Sequence, residues 1–552
     1  MRLVTAEEMR QEEQAANAAG LTYAMMMERA GRAVAQVAQE YVAAPPGKVL
    51  VLVGPGNNGG DGLVAAHYLH VWGHGVTVYI WRRNVAEDAN LARLQQEGVP
   101  ILWAGQDDEG RELARLTGEA DLIVDALLGT GASGPLREDL RALLSTVKGA
   151  LAPQHLETRA IRQSSTGPRP GHRPPPKVLA VDLPSGLNAD TGEIDPGALP
   201  ADLTITLAYP KRGLFLFPGA AYVGELMVAD IGLAPGEAPE VLEVTTAQEV
   251  AAWLPPRPLQ AHKGTFGKAL IIAGSANYIG APCLAAEAAY RVGAGLVTLA
   301  VGQAIHPVVA SKISEATFLV LPDDLGALVP DALRVLARHL GQYNAVLVGP
   351  GLGREKATGE FLQALLRGRE GSVTRPIGFA VPAQDPSPSF TLPPLVLDAD
   401  GLNLLAEIPR WWELLPPHTI LTPHPGEMAR LLGRPVAEIE ADRWNIARQA
   451  AQEWGCVVVL KGAFTVVASP AGQTTVIPFA NPALATAGTG DVLAGAMVGL
   501  LAQGLAPHRA AICGAYLHGL AGELWRKQHG PRGLLAHELG ALLPQACQAL
   551  AP

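Results

Sequence analysis

Short apolar runs that stop abruptly at a glycine or an aspartate, each followed by a helical pattern, recur along the whole chain. That alternation constrains the fold more than any other feature. Parallel strands need a crossover, and a helix is its compact form, so the pattern reads as βαβ units. In the first half it predicts strands at 49–53, 76–81, 122–125, 178–182 and 203–207. In the second half it predicts them at 269–273, 296–301, 345–348, 395–398, 419–422, 457–460 and 474–477. The expected class is α/β throughout, with ligands bound beyond the carboxyl ends of the strands.

The 552 residues exceed what one core holds, so at least two domains are expected. Pro235, Pro239, Pro255, Pro256 and Pro258 interrupt the pattern, and the motifs on either side differ in kind. The boundary is therefore set at 1–240 and 241–552. Segments 148–177 and 368–394 are rich in proline, lack an apolar period and read as surface insertions. No internal repeat is visible.

A formal net charge of -10 argues against broad nucleic-acid binding. Cys283, Cys456, Cys513 and Cys547 form no C-x-x-C pair, so neither a zinc site nor a disulfide framework is indicated. Residues 1–14 lack the apolar stretch of a signal peptide, and the apolar segment 492–502 is too short to span a bilayer. A cytoplasmic protein with no membrane partner is expected.

The first predicted strand runs into Gly54-Pro55-Gly56-Asn57-Asn58-Gly59-Gly60-Asp61-Gly62 and then a helix. Such a turn lets backbone amides approach phosphate, and the helix dipole adds to the attraction. The adjacent amides and the carboxylate exceed what a plain dinucleotide loop needs. An ordinary dinucleotide fold would also place an acid after the second strand, where this chain has Arg82 and Arg83. Two more strand ends carry acids: Asp125, before Gly129-Thr130-Gly131-Ala132-Ser133-Gly134-Pro135, and Asp182, before Leu183-Pro184-Ser185-Gly186. Three loops thus converge on one crevice. Oxygen donors without histidine or cysteine suit a hard cation, monovalent or magnesium.

These three loops resemble the signature loops of the NAD(P)H-hydrate epimerase family. The resemblance implies a Rossmann-like three-layer domain that interconverts the epimers of hydrated NADH and NADPH. It implies potassium held by Asn58, Asp125 and Ser185. It also implies ligand contacts at Asn57, Asn58, Gly59, Gly60 and Asp61, and from Gly129 to Pro135, with Asp182 at the nicotinamide end as the proton-transfer group. One departure is Glu28-Arg29-Ala30-Gly31, where the family usually reads Glu-Asn-Ala-Gly.

In the second half, Gly488-Thr489-Gly490-Asp491 opens a helix of small residues. Amides at a helix N-terminus suit a phosphoryl group, and a carboxylate in the first turn can accept a hydroxyl proton. The motif resembles the anion hole and base of the ribokinase superfamily. Lys461-Gly462-Ala463-Phe464-Thr465, His424 within Thr422-Pro423-His424-Pro425-Gly426-Glu427, Gly351 within Gly349-Pro350-Gly351-Leu352-Gly353, and Ala281 after Gly274 all follow predicted strands. With His262-Lys263-Gly264 and Asp398-Ala399-Asp400, they resemble the ADP/ATP-dependent NAD(P)H-hydrate dehydratase family. That resemblance implies a ribokinase-like three-layer domain. It implies an adenine nucleotide with magnesium at Lys461, Gly462, Ala463, Phe464 and Thr465 and at Gly488, Thr489 and Gly490. The hydrate would lie against Ala281, Gly351, His424 and Asp491, with Asp491 as base. The motifs leave ADP against ATP open, and a homo-oligomer is expected. Two rival readings stand beside this one. The first is a ribokinase-like kinase of a small alcohol fused to an NADP-binding domain; the second is an RNA-associated binding module.

Overall fold

A computed structural model describes residues 1–42, 46–86, 88–132, 134–151, 175–233, 242–368 and 390–550. The chain divides into two compact units, Arg2–Pro239 and Glu240–Pro552, with Met1 joined to the latter.

The first unit holds a parallel sheet of seven strands: β1 (Lys48–Val53), β2 (Gly75–Ile80), β3 (Ile101–Trp103), β4 (Leu122–Ala126), β5 (Lys177–Val181), β6 (Leu203–Leu207) and β7 (Glu225–Ala229). Their order is β3-β2-β1-β4-β5-β6-β7. The order reverses direction between β1 and β4, so a crevice opens where the loops after these strands part. Successive β1 residues serve opposite faces. Val49, Val51 and Val53 enter one apolar core, Leu50 and Leu52 another. Both faces are covered by helices, which gives three layers.

The second unit holds a ten-stranded sheet. Its members are β8 (Leu242–Val244), β9 (Lys268–Ile272), β10 (Leu296–Gly302), β11 (Thr317–Leu321), β14 (Ala345–Val348), β15 (Leu395–Leu397), β16 (Ile420–Leu421), β17 (Val457–Leu460), β18 (Val466–Ala468) and β19 (Thr474–Val476). A separate hairpin pairs β12 (Asp323–Asp324) with β13 (Ala327–Leu328). The order β11-β10-β9-β14-β15-β16-β17-β18-β19-β8 is parallel except where β18 pairs with β17 and β19. Here the switch point lies between β9 and β14. Ala269 and Ile271 face one core, Leu270 and Ile272 the other.

The helix Thr489–Ala502 is buried along nearly its whole length. This explains why segment 492–502 is apolar on all sides without being a membrane span. No described helix is long and apolar enough to cross a membrane.

All twelve predicted strands form, with ends shifted by a residue or two at most. Strands β3, β7, β8, β11, β12, β13 and β18 were not legible. β3 is only three half-buried residues, and β7 is a half-buried strand with no alternation, so neither stands out as a buried run bounded by a glycine or aspartate. The predicted insertion 148–177 is shorter than its composition implied, because residues 148–151 finish the helix Glu138–Leu151. Residues 152–174, and 369–389 of the other predicted insertion, lie outside the described residues.

Candidate functional site

In the first unit, a cleft of about 900 Å³ opens at the switch point and is lined by Asn57, Asn58, Asp61, Asp182 and Glu13. Gly129, Thr130, Gly131, Ala132, Gly134 and Pro135 form its opposite lip. Ser133 lies outside the described residues. Gly59 and Gly60 are buried in the first turn of the helix Asn57–Val71.

Asp182 has a φ of +66°, a conformation that strains a residue with a β-carbon. What holds it there is a buried lysine. Lys211 donates to Asp182 Oδ1 at 2.5 Å, and Thr206 Oγ1 and the Leu207 amide donate to the same oxygen at 3.2 and 3.1 Å. Lys211 also donates to the Leu207 carbonyl at 2.9 Å, and none of it is exposed. Asp61 is buried nearby. Its burial, with the charges of Asp182 and Glu13, pushes its carboxyl well above the usual carboxylate range.

Asp125 and Ser185 sit beneath the cleft floor rather than on it, both fully buried. Ser185 Oγ donates to Asp125 Oδ1 at 2.6 Å, and its amide donates to Oδ2 at 3.0 Å. The Leu128 amide donates to Ser185 Oγ at 2.9 Å, while Asn58 Nδ2 donates to the Leu128 carbonyl at 2.8 Å. One residue, Leu128, thus links Asn58 to the Asp125–Ser185 pair. Asn58 Oδ1 is buried and has no hydrogen-bond partner among the described residues. An orphaned amide oxygen near a buried carboxylate is the environment a weakly charged cation requires.

The arginines after β2 do not form a free phosphate site. Arg82 pairs with Asp139 at 2.6 Å, and Arg83 donates to the Gly54 and Gly56 carbonyls at 2.9 and 3.2 Å. Arg83 thereby braces the loop, while Arg82 stays half-exposed in the cleft wall. Arg29, where the sequence departs from the family pattern, reaches the Ile231 carbonyl at 3.4 Å.

In the second unit, the loops after β9, β14, β15, β16 and β17 meet the N-terminus of the helix Thr489–Ala502. Lys461 donates to Asp398 Oδ1 at 2.5 Å and lies 3.6 Å from Glu427 Oε2. Thr422 Oγ1 donates to Asp398 Oδ1 at 2.7 Å, whereas Asp398 Oδ2 is buried with no partner among the described residues. Burial and the charge of Asp398 push Asp491 up to about 7. Burial raises Glu427 likewise, to about 7. Both carboxyls therefore change charge near neutrality.

His424 caps the helix Pro425–Leu432: its Nδ1 accepts from the Gly426 and Glu427 amides at 3.0 and 3.3 Å. Burial and the charge of Lys461 lower its pKa, so the ring stays neutral, with Nε2 carrying the proton. Gly351 has a φ of +63°, and a β-carbon there would lie 2.6 Å from Tyr278 Cβ and 3.0 Å from Ala281 Cβ. Gly351 and Ala281 are therefore neighbours. Gly462 and Ala463 are exposed at the rim, with Phe464 and Thr465 behind them. Thr489 Oγ1 donates back to the Leu484 and Thr486 carbonyls, which fixes the turn bearing Gly488 and Gly490.

Sequence reasoning missed Glu13, Lys211 and His518. Lys211 lies just past the end of β6, so the strand-end rule could have found it. His518 is half-buried on the helix Pro507–His529, its pKa lowered by desolvation to about 4, and its Nε2 donates to the Thr489 carbonyl at 2.9 Å. A lone histidine in a long helix carries no sequence signal of that contact.

Two α/β sheets, each with strand-end loops gathered on carboxylates and helix N-termini, define a two-domain enzyme acting on nucleotide-like ligands. A family profile described as YjeF-related protein N-terminus matches residues 23–213, and one described as NAD(P)H-hydrate dehydratase matches residues 269–545. The bifunctional NAD(P)H-hydrate repair enzyme Nnr of Moorella thermoacetica is 39% identical over 566 residues, spanning 100% of this chain and 97% of that one. The corresponding protein of Salinibacter ruber is 38% identical across 95% of this chain and 92% of its own length. An ADP/ATP-dependent NAD(P)H-hydrate dehydratase from Bacillus subtilis, co-crystallised with ATP/Mg2+, is 33% identical. It covers 56% of this chain and 98% of that structure, with a TM-score of 0.46. This chain belongs to the bifunctional NAD(P)H-hydrate repair enzyme family.

Proposed function

We propose that the first unit interconverts the R and S epimers of hydrated NADH and NADPH, and that the second dehydrates the S epimer at the expense of ADP or ATP. The observation that carries the reading is the placement of Asp491. It stands in the first turn of a buried helix, beside amides and next to the Lys461–Asp398 pair, and it titrates near neutrality. That is the equipment for phosphoryl transfer to a hydroxyl.

The chemistry follows from leaving groups. Hydroxide leaves poorly from the hydrate, whereas phosphate leaves well. Asp491 takes the hydroxyl proton as the oxygen attacks the terminal phosphoryl. The Gly488, Thr489 and Gly490 amides meet the charge that develops on it. The ring nitrogen then expels phosphate, and loss of the neighbouring carbon's proton restores the dihydronicotinamide. Ala281, Gly351 and His424 shape the hydrate pocket, and residues 461–465 hold the nucleotide. Asp398 Oδ2, left without a partner among the described residues, would be open to a magnesium ion, which would neutralise phosphate charge.

In the first unit, Asp182 transfers the proton, residues 57–61 and 129–135 hold the ligand, and Asn58, Asp125 and Ser185 would hold potassium. That ion would fix the loops' geometry. The rival fusion of a kinase with an NADP-binding domain is disfavoured by Arg83, which is spent on the loop's own carbonyls.

The test is recovery of NADH absorbance from a mixture of both hydrates with ADP or ATP. The wild type converts the whole mixture. Asp182→Ala converts only the S share promptly, and Asp491→Ala converts none while still equilibrating the epimers. No recovery by wild type with either nucleotide sinks the proposal.

A further inference from the structure

Three carboxylates, Glu13, Asp61 and Asp182, line the cleft of the first unit, with Arg10, Arg82 and Arg137 also in its walls. Asp182 is matched by Lys211, whose ammonium also donates to Thr206 Oγ1 and the Leu207 carbonyl. All three of its protons are committed. Asp61 and Glu13 line the same cleft, and among the described residues no cation is hydrogen-bonded to either.

Glu13 comes from the first helix, Ala6–Ala18, and its position there is built rather than incidental. Val4 bridges in parallel to Lys211, with the Val4 amide donating to the Pro210 carbonyl at 3.1 Å and the Arg212 amide to the Val4 carbonyl at 3.1 Å. Thr5 and Glu8 form a capping box, Arg212 pairs with Glu8 at 3.1 Å, and the Ala6 amide donates to Asp190 at 2.7 Å. The segment that fixes Lys211 therefore also fixes the helix that carries Glu13. The charge of Asp182 raises the proton affinity of both Asp61 and Glu13, and that of Glu13 raises Asp61 further.

Hydration of a dihydronicotinamide places the hydroxyl on a ring carbon bonded to nitrogen. Exchanging its face requires that hydroxyl to leave as water and return. One group must give a proton and another must take one, so two carboxyls in different protonation states are needed.

We propose that Asp61 protonates the departing hydroxyl, that Asp182 takes the proton from the returning water, and that Glu13 carries the proton back between them. In the first step the C–O bond breaks, water leaves, the nitrogen lone pair forms C=N⁺ and Asp61 becomes a carboxylate. In the second, water adds to the opposite face of that carbon, the C=N⁺ electrons return to nitrogen and Asp182 gains a proton. Transfer through Glu13 then restores both groups, and no oxidant or co-substrate is consumed. The protonation states agree with the surroundings. Asp61 is the fully buried acid, raised by burial and by Asp182 and Glu13 against Lys211 and Arg83. Glu13 is raised by burial and Asp182 against Lys211 and Arg10.

This inference rests on the epimerase reading of Asp182. Its test measures initial rates of hydrate epimerisation in the full-length protein by chromatographic separation of the epimers, with the spontaneous rate subtracted. Asp61→Asn is expected to lose about 100-fold or more in kcat. Glu13→Gln is expected to lose about tenfold, to change the pH profile, and to recover in high concentrations of formate or imidazole, which a merely structural loss would not do. Glu13→Asp recovers part of the rate. A Glu13→Gln variant with wild-type kcat and pH profile, or one that small acids do not rescue, overturns the proposal even if Asp61→Asn proves unstable. If Asp182→Asn also keeps full activity, the epimerase assignment itself has failed; if it is dead while Glu13→Gln is normal, only the relay has.

Discussion

Lys461 is the shared counter-ion of Asp398 and Glu427, 2.5 Å from the first and 3.6 Å from the second. Its ammonium is turned toward these buried carboxylates. Its charge also lowers the pKa of Asp491. Replacing Lys461 by Met removes a cation from among three acids. We expect the second unit to lose about 3 kcal/mol, the usual penalty for breaking a buried pair, measured by urea unfolding. Any remaining dehydratase activity is expected to have its pH profile moved to higher pH, because Asp491 loses an attraction that favours its ionised form.

Asp491→Asn is expected to lower dehydration by about 100-fold or more while leaving epimerisation intact. In the wild type the base works only when ionised. With Asp491 raised to about 7, dehydratase kcat should climb as pH passes from 6 to 8. Stability runs the other way. Groups whose folded pKa is raised bind more protons in the native state, so Asp491 and Glu427 make the second unit less stable as pH rises from about 4 to about 7. A rate that falls over that alkaline interval would remove Asp491 from the role of base.

The orphaned Asn58 Oδ1 predicts a cation requirement confined to the first unit. With ionic strength held by a large organic cation, epimerisation is expected to depend on potassium, and Asn58→Ala to weaken the half-saturating concentration by about tenfold. Dehydration of pure S hydrate at the same potassium levels serves as the comparison. Equal potassium curves for wild type and Asn58→Ala would exclude the assignment.

Gly351→Ala forces a β-carbon against Tyr278 and Ala281 at a positive φ. Overpacking of this kind costs about 1–3 kcal/mol. The expected signature is a several-fold rise in KM for the hydrate with little change in KM for the nucleotide, measured by steady-state kinetics in each substrate.

The sheets and the glycine-rich loops were legible because parallel strands buried on both faces leave continuous apolar runs, and because strand-end turns betray themselves by glycine. Val457–Leu460 and Ala345–Val348 came through to the residue. What was hidden depends on three-dimensional neighbours. Glu13 looks like any surface acid on the amphipathic helix Ala6–Ala18, and only the bridge from Val4 to Lys211 carries it to the cleft. Asp398 was visible as a strand-end acid, but not that one of its oxygens is committed to Lys461 and the other is left over.

The helix Thr489–Ala502 meets its neighbour Gly280–Arg291 at backbone distance. A β-carbon at Gly495 would fall 2.2 Å from the Ala285 carbonyl oxygen, and one at Gly499 would fall 2.8 Å from Ala289 Cα. The height at which Gly490 and Asp491 stand above the sheet is thereby set by two glycines deep inside the domain. An engineer who wants this half to accept another alcohol should therefore leave that mast alone and redraw the rim, where the exposed Tyr278 is open to change.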